Sequence, residues 1–261
     1  MRILVKLGGT LLDDSASRAA IAQQIVAARA EGIEIVVVHG GGKQMTRYLA
    51  ARGIESRFVN GLRVTTPETV DAVLKVFAGT VNHELVAALN RAGARAVGLT
   101  GIDALLVEAE QMDPALGAVG RITGSHPELL EVLAGAQYVP VVACVAGSRH
   151  GEVFNVNADQ MAVACAAAFR AEELVFLTDV EGVLDGSKRV QRVLTAAAAQ
   201  SLIDQAIATG GMRAKLDAAL AALAAGISRV TIAPGAADQV VQRLLSGEPV
   251  GTRMVPQAVT A

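Results

Sequence analysis

Short apolar runs alternate with longer, alanine-rich segments along the chain of 261 residues. The apolar runs are of strand length and rich in β-branched residues, whereas the longer segments have the spacing of amphipathic helices. The predicted strands are Ile3–Leu7, Ile33–Val38, Ala94–Leu99, Val139–Cys144, Val153–Asn155, Leu174–Leu177 and Arg229–Ile232. The predicted helices are Ser15–Ala30, a segment from Lys43, Pro67–Phe77, Val81–Arg91, Asp159–Phe169, Ala196–Ala208, Met212–Ala225 and Asp238–Leu245.

This alternation predicts an α/β protein, a three-layer αβα sandwich with a mostly parallel central sheet. Ser15 is the predicted N-cap of the first helix. Pro67 is expected in the first turn of the helix 67–77. Between residues 104 and 123 the periodicity is mixed, with Pro114 and several glycines nearby, which predicts hairpins. We expect two lobes that meet near Ala171, although no low-complexity linker separates them.

Composition and charge narrow the classes of function. Hydrophobic residues make up 52% of the chain and aromatic residues 3%, with no tryptophan. A core of small aliphatic side chains suits a buried parallel sheet and offers little surface for stacking nucleic acid bases. The net charge is −2 without any block of like charges, which argues against nucleic acid or an anionic membrane as partner.

The cellular location is expected to be the cytoplasm. The N-terminal segment does not have the pattern of a signal peptide, and no apolar run reaches transmembrane length without polar residues. Cys144 and Cys165 lie in apolar contexts without a C-x-x-C pattern, which predicts buried, reduced thiols in a reducing compartment.

Glycine turns follow several predicted strands, the place where open α/β sheets bind ligands. There, backbone N–H groups can surround an anion and a following helix adds its positive end, although such turns also use glycine for geometry alone. The turns are Gly8-Gly9, Gly40-Gly41-Gly42, Thr100-Gly101 and Asp179–Gly182. Gln44 and Val37 break the Walker A pattern, and Met45 breaks the dinucleotide-binding fingerprint, which disfavours a Rossmann dehydrogenase.

Three charged residues far apart in the sequence fit phosphoryl transfer when taken together. Lys6 lies near the end of the first strand, Asp159 opens a helix, and Lys215 lies one turn into a helix after Gly210-Gly211. Taken one at a time, each has an ordinary structural explanation. Lys6 could extend its ammonium group to solvent, Asp159 could cap its helix, and Lys215 could be a surface lysine. Two lysines held apart by one aspartate would stabilise the negative charge that spreads over a phosphoryl group in transit.

Six segments, in this order and spacing, resemble the amino acid kinase superfamily. They are Lys6–Gly9, His39–Gly42, Gly61–Thr65, Asn155–Asp159, Thr178–Val183 and Gly210–Lys215. The resemblance covers almost the whole chain, to Gly251-Thr252-Arg253. Within the superfamily the kinases of N-acetyl-L-glutamate are the most similar, because Val64-Thr65 follows Arg63.

The resemblance implies the three-layer αβα amino acid kinase fold, with residues 1–171 binding the acyl amino acid and forming a dimer and residues 172–261 binding ATP. It implies transfer of a phosphoryl group from ATP to the γ-carboxylate of N-acetyl-L-glutamate in arginine biosynthesis, with Mg²⁺ held mainly by the nucleotide phosphates. It further implies a homodimer with Pro67–Phe77 at the interface. Arginine-inhibited relatives carry an additional N-terminal helix, so a chain starting at its first strand is expected to be insensitive to arginine.

The resemblance also assigns residues to the site. The implied catalytic residues are Lys6, Lys215, Asp159, Gly9 and Gly41. The implied substrate-binding residues are Gly41, Gly42, Arg63 and Asn155. The planar guanidinium of Arg63 suits the α-carboxylate of the substrate. The implied nucleotide-binding residues are Asp179, Val180, Glu181, Gly182, Val183, Leu184, Ile207, Ala208 and Thr209.

No protein metal ligand is implied, and the spacing of His39, His83, His126 and His150 forms no metal motif. We expect His39 to support the glycine loop that follows it.

Two other functions stay open. One is a kinase of the same fold that acts on acetylaminoadipate or on a carrier-linked aminoadipate or glutamate, and only the pocket around Arg63 and Asn155 would separate it from the first. The other is a non-catalytic amino acid sensor, which the presence of both lysines and of Asp159 disfavours. Two positions depart from the pattern of relatives: Thr100 replaces a common serine and His83 a common lysine.

Overall fold

The computed structural model describes residues 1–256, except for the surroundings of Gly9. We number the strands and α-helices in chain order. The strands are β1 (Arg2–Leu7), β2 (Glu34–His39), β3 (Phe58–Val59), β4 (Leu62–Arg63), β5 (Ala96–Thr100), β6 (Val107–Gln111), β7 (Gly120–Ser125), β8 (Val139–Ala143), β9 (Val145–Gly147), β10 (Val153–Asn155), β11 (Glu173–Thr178), β12 (Val193–Thr195), β13 (Arg229–Pro234) and β14 (Thr252–Val255). The helices are α1 (Ser15–Ala30), α2 (Gly42–Ala50), α3 (Pro67–Val73), α4 (Asn82–Arg91), α5 (Glu128–Gly135), α6 (Ala158–Ala168), α7 (Ala196–Asp204), α8 (Gly210–Ala224) and α9 (Val240–Leu245).

The central sheet has eight strands in the order β12-β14-β13-β11-β1-β2-β8-β5. From β13 to β5 all neighbours are parallel, and β14 joins β13 antiparallel. The middle strands are apolar and buried along nearly their whole length, as strands covered on both faces must be. The predicted mostly parallel sheet is therefore confirmed.

Helices flank this sheet in two groups. α1 packs against α4 and α9, whereas α6 packs against α8 and against β1 and β2. A smaller sheet, β10-β9-β6-β7, contains the antiparallel pair β6–β7, so the hairpin predicted between residues 104 and 123 is confirmed. The sandwich of helices, sheet and helices is the predicted architecture.

The two helices predicted at 67–77 and 81–91 are in fact one continuous helix from Pro67 to Arg91. Its middle part, Leu74–Val81, is π-helical and joins α3 to α4 without a break. Its 25 residues are enough to span a membrane, and an 18-residue stretch within it reaches a mean hydropathy of 1.3. Phe77, Val81 and Leu85 are nevertheless buried in the hydrophobic core, so the apolar character of this helix is accounted for by packing.

Several element ends differ from the sequence-based expectations. The N-cap of α1 is Asp14, not Ser15, because the Asp14 carboxylate accepts hydrogen bonds from the N–H groups of Ala16 and Ser17. The expectation for Pro67 is confirmed, in the first turn after the N-cap Thr66. α7 ends four residues earlier than predicted, at Asp204. α5 was not predicted, since its eight residues are too few for a clear period.

β1 lies between β2 and β11, so one continuous sheet runs across the expected boundary near Ala171. The division into two lobes at that residue remains a prediction. The sheet order has a direct consequence for ligands. It brings the carboxyl ends of β2, β1 and β11 next to one another.

Candidate active site

The loops after β1, β2 and β11 meet at the carboxyl edge of the sheet. The N–H of Gly8 donates to Leu177 O at 3.1 Å, and the N–H of Gly40 donates to Leu7 O at 3.4 Å. The glycine turns at Gly8-Gly9, Gly40-Gly41-Gly42 and Asp179–Gly182 are therefore neighbours in space. Gly9 opens a short 3₁₀-helix, Gly9–Leu12, and its surroundings lie outside the described part of the structure.

Lys6, Asp159 and Lys215 form one charged cluster behind these loops. The ammonium nitrogen of Lys6 lies 2.6 Å from Asp159 Oδ1, and that of Lys215 lies 3.7 Å from Oδ2. Lys6 and Asp159 are only 7% and 6% exposed. Asp159 lies in the first turn of α6 but is not its cap, because the Asn157 side chain accepts the N–H groups of residues 159 and 160.

The cluster holds Asp159 ionised in a buried position. Burial by itself would raise the pKa of this carboxyl group, but the ammonium groups of Lys6 and Lys215 outweigh it, and the pKa lies below the ordinary 3.8. One carboxylate between two ammonium groups leaves a net positive charge next to the glycine turns. Such a site is electrostatically suited to an anion that gains charge during a reaction.

Two of the glycines in these turns, Gly8 and Gly41, have no space for a side chain. A Cβ on Gly41 would lie 2.9 Å from Phe77 Cδ1 and 3.2 Å from Val81 Cγ2, so the π-helical segment packs directly against this loop. A Cβ on Gly8 would lie 2.8 Å from the Lys6 ammonium nitrogen. Glycine is therefore required at both positions by close approach.

Arg63 is a buried arginine whose guanidinium is held by three neighbours. It donates to Ser56 Oγ, to Gly42 O at 3.1 Å and to Thr46 Oγ1 at 2.8 Å. Its Cζ lies 4.6 Å from the centre of the Phe58 ring. Burial lowers the pKa of Arg63, although an arginine stays charged at any physiological pH. The guanidinium is thus pre-oriented and has N–H groups left for a ligand.

One cleft of about 630 Å³ connects the lysine cluster to this arginine. Lys6, Gly8, the loop 40–42 and Arg63 all line it. A smaller pocket of about 160 Å³ adjoins the cleft and is lined by Gly41, Gly42, Arg63 and Asn155 among others. The structure therefore brings Lys6, the glycine loop, Arg63 and Asn155 to one place.

His39 supports the glycine loop as expected. It is completely buried; its Nδ1 lies 2.7 Å from Gly40 O and its Nε2 lies 2.9 Å from the Asn82 amide nitrogen. Burial lowers the pKa of His39 to about 4, and the nearby Lys6 ammonium acts in the same direction. The imidazole is therefore neutral at neutral pH.

We expect His39 to make the protein less stable as the pH falls. Between pH 7 and pH 5 the unfolded chain gains a proton at this histidine and the folded chain does not, because the folded pKa of His39 is about 4. The corresponding loss in free energy of unfolding is about 2 kcal/mol. Urea denaturation at pH 5, 6 and 7 measures it.

The control for this pH effect is a pair of histidine variants. In His39→Asn, the free energy of unfolding should no longer fall by about 2 kcal/mol between pH 7 and pH 5. Replacement of the exposed His150 by Asn should leave this pH dependence in place. An unchanged pH slope in His39→Asn would contradict the assignment.

The two segments expected to bind nucleotide are adjacent. A Cβ on Gly186, two residues beyond the first of these segments, would lie 3.5 Å from Ile207 Cδ1, so the chain just after Leu184 lies beside Ile207. Val180, Leu184 and Ile207 expose apolar side chains to solvent, which suits a planar base. Val183, Ala208 and Gly182 are different, because all three are buried.

Asp179 links this segment to the cleft. Its carboxylate accepts the N–H and the hydroxyl of Thr10 at 2.9 and 2.7 Å, and these bonds hold its pKa below 3.8 against the opposing effect of burial. Lys43 Nζ lies 3.9 Å from Asp179 and 3.9 Å from Asp13. Glu181 and Thr209 are exposed, and Thr209 is the N-cap residue of α8.

Sequence reasoning missed five residues that position the others: Thr46, Ser56, Thr10, Lys43 and Asn82. Thr46 lies one turn after the glycine loop on α2, and its spacing from Gly42 was a usable signal. Asn82 falls on the apolar face of its helix, three residues before the buried Leu85, which is another usable signal. The remaining contacts join distant segments and leave no local pattern. Within residues 1–256, no group of three or more His, Cys, Asp or Glu side chains could hold a metal ion.

Comparison with known proteins identifies relatives along nearly the whole chain. The sequence pattern of the amino acid kinase family matches residues 1–234. An acetylglutamate kinase from Solibacter usitatus is 71% identical over 98% of this chain and 99% of its own length. Another, from Acidobacterium capsulatum, is 44% identical over 94% of this chain and 95% of its own.

Solved structures show the same fold. N-acetylglutamate synthase from Neisseria gonorrhoeae, complexed with coenzyme A and N-acetyl-glutamate, superposes with a TM-score of 0.88 at 28% identity. The match covers 99% of this chain, which spans 60% of the synthase. Carbamate kinase from Giardia lamblia bound to AMP-PNP gives a TM-score of 0.73 at 16% identity and shares the fold. The chain belongs to the amino acid kinase family.

Proposed function

We propose that this protein transfers the γ-phosphoryl group of ATP to the γ-carboxylate of N-acetyl-L-glutamate, giving an acyl phosphate and ADP in arginine biosynthesis. The observation that carries the proposal is the cleft that joins the Lys6–Asp159–Lys215 cluster to Arg63. The 71% identity to an acetylglutamate kinase supports the choice of substrate.

The catalytic part of the proposal rests on charge. In phosphoryl transfer, negative charge spreads over the moving group, and the protein acts mainly by positioning and electrostatic stabilisation. Lys6 and Lys215 would stabilise that charge, and Asp159 would hold both ammonium groups in position. The N–H groups of Gly9 and Gly41 would donate to the phosphoryl oxygens, because neither residue has a side chain in the way.

The substrate part rests on Arg63, Asn155 and the loop of Gly41 and Gly42. A guanidinium has five N–H groups, so the three neighbours of Arg63 leave donors for a carboxylate. With the α-carboxylate bound there, the γ-carboxylate would extend along the cleft toward Lys6. The distance between the two ends of the cleft would then select the length of the acid.

The nucleotide part rests on the segments 179–184 and 207–209. Val180, Leu184 and Ile207 would cover the base, and the N-terminus of α8 would face phosphate with its positive end. Val183 and Ala208 would support these residues from the core. Mg²⁺ bound to the nucleotide would neutralise phosphate charge, with most of its ligands being phosphate oxygens and water.

The test of the proposal is ADP release from Mg·ATP with four acceptors: N-acetyl-L-glutamate, N-acetyl-L-aminoadipate, L-glutamate and L-aspartate. Turnover with N-acetyl-L-glutamate well above the others is the outcome we expect. Preference for the longer acid would overturn the choice of substrate and keep the chemistry. No turnover with any acceptor would overturn the proposal.

Replacement of Arg63 by lysine is expected to raise KM for N-acetyl-L-glutamate about 10- to 100-fold, because charge-assisted hydrogen bonds to a carboxylate contribute about 1.5–3 kcal/mol. KM for ATP should change by no more than about twofold. Arg52→Lys is a matched control, since Arg52 stacks on Tyr48 at the far end of α2. Equal changes in both KM values would contradict the assignment.

We further propose a cytoplasmic homodimer that associates through the helical segment 67–77. Leu74 is an exposed large apolar side chain on this segment, beside the exposed pair of Asp71 and Lys75. Light scattering on the purified protein tests it. A monomer at micromolar concentration would contradict the dimer, and Leu74→Glu should dissociate it.

A further inference from the structure

Asn82 is a buried polar residue on the buried face of its helix, where its neighbours Val81 and Leu85 are apolar. It lies where the π-helical segment ends and α4 begins, and it is 1% exposed. Its amide nitrogen lies 2.9 Å from Val141 O and 2.9 Å from His39 Nε2. A Cβ on Gly98 would lie 2.0 Å from Asn82 Oδ1, so β5 has a glycine where this side chain packs.

We propose that Asn82 is a positioning residue: its amide keeps His39 in the tautomer that anchors the catalytic glycine loop. An amide nitrogen has two hydrogens, and its two closest acceptors here are Val141 O and His39 Nε2. The Nε2 atom must then accept, and the imidazole proton resides on Nδ1. From there it is donated to Gly40 O, 2.7 Å away.

The anchored carbonyl orients the next N–H group. Gly40 C=O and Gly41 N–H belong to one planar trans peptide, in which the two bonds point in opposite directions. When His39 fixes the carbonyl, it also fixes the N–H of Gly41, a residue that lines the cleft. In the opposite tautomer, a lone pair on Nδ1 would face the carbonyl oxygen and repel it.

The same helix fixes the loop from its other side. Phe77 and Val81, both in the π-helical segment, occupy the space that a side chain on Gly41 would need. π-Helical turns are rare and frequently accompany functional sites. Here the wider turn brings Phe77, Val81 and Asn82 to the loop and to the histidine beneath it.

The first experiment reads the tautomer directly in the unmodified protein. In a ¹⁵N–¹H spectrum of histidine-labelled protein, His39, assigned by its absence in His39→Asn, should be the neutral Nδ1–H form from pH 6 to pH 8. Finding the Nε2–H form would overturn the proposal. This result does not depend on activity, so it is independent of the proposed kinase function on which the inference rests.

The second experiment compares Asn82→Leu with Asn90→Leu. Asn90 is a matched control on α4, since it also bonds to β5, by accepting the N–H of Ala96 at 2.8 Å, but lies away from the glycine loop. With N-acetyl-L-glutamate and Mg·ATP, Asn82→Leu should lose about 10- to 100-fold in kcat. KM should be nearly unchanged, and the His39 signal should shift towards Nε2–H. Full kcat in Asn82→Leu would overturn the proposal.

A third variant covers the case in which Asn82→Leu does not fold. In Asn82→Asp a carboxylate faces Nε2 and favours imidazolium, which still donates from Nδ1 to Gly40 O. The other charged group near the ring is the Lys6 ammonium on β1, which opposes protonation. We expect kcat of Asn82→Asp to fall relative to wild type as the pH rises above the new pKa of His39. A pH profile parallel to that of wild type would overturn the proposal.

Discussion

Replacement of Lys6 by methionine should lower kcat about 10²- to 10³-fold, the effect of removing one donor aimed at developing charge. Methionine preserves the length and packing of the side chain at this buried strand position and removes only the ammonium group. Because that group acts on charge that develops during transfer, KM for ATP should change far less than kcat. Steady-state ADP release at saturating substrates measures the effect.

Lys215→Met should give a loss of the same kind, since the second ammonium group faces the other oxygen of Asp159. The double variant should lose less than the product of the two single losses, because both lysines act through one carboxylate. Arg121→Met is a suitable control: Arg121 is exposed and pairs with Glu110 on the neighbouring strand, away from both the cleft and the proposed dimer segment. A single variant of Lys6 that retained kcat within about threefold would contradict the assigned mechanism.

Replacement of Asp159 by asparagine should lower both activity and stability. It leaves the Lys6 ammonium buried without its counter-charge, and breaking a buried ion pair in this way costs about 3–5 kcal/mol. The free energy of unfolding from urea denaturation at pH 7 measures this loss. Activity should fall as well, because the two lysines lose the group that holds them apart.

The matched control for Asp159→Asn is Asp217→Asn. Asp217 also pairs with a basic side chain, Arg213, but on the surface, where an ion pair contributes about 0–1 kcal/mol. Equal destabilisation by the two substitutions would contradict a buried, charged Asp159.

The pH dependence of the free energy of unfolding gives a second check on Asp159. Because the folded pKa of Asp159 lies below its ordinary value, its stabilising contribution is complete above about pH 4 and is lost as the pH falls through the folded pKa.

Much of this fold could be predicted from local sequence because its signals are local. β1, β2, β8 and β11 read as apolar runs, since both faces of a central parallel strand are buried. α5 and the small strands β3, β4, β9, β12 and β14 were not predicted, because such short elements contain less than one clear period. The sequence predicts two helices within 67–91 because residues 78–80 include a glycine, which the π-helical turn accommodates.

The candidate site divides in the same way. Lys6, Asp159 and Lys215 fit phosphoryl transfer by their residue types, whereas Arg63 is implied only by the resemblance to the amino acid kinases. The partners of Arg63 were not predicted, because Thr46 and Ser56 matter only once β4 and α2 bring Arg63 between them. Lys215 by itself resembled an ordinary surface lysine, and only the packing of α8 on α6 gives it a function.

The amino-acid sequence therefore specifies the α/β class, the glycine turns and the residue types needed for phosphoryl transfer, because hydrophobic period and backbone freedom are properties of neighbouring residues. The convergence of Lys6, Asp159 and Lys215 depends on the order of β2, β1 and β11 in the sheet. That order is set by long-range packing of whole elements. The contact from Asn82 through His39 to the glycine loop has the same origin, since it joins a helix to a strand across a core that no local pattern describes.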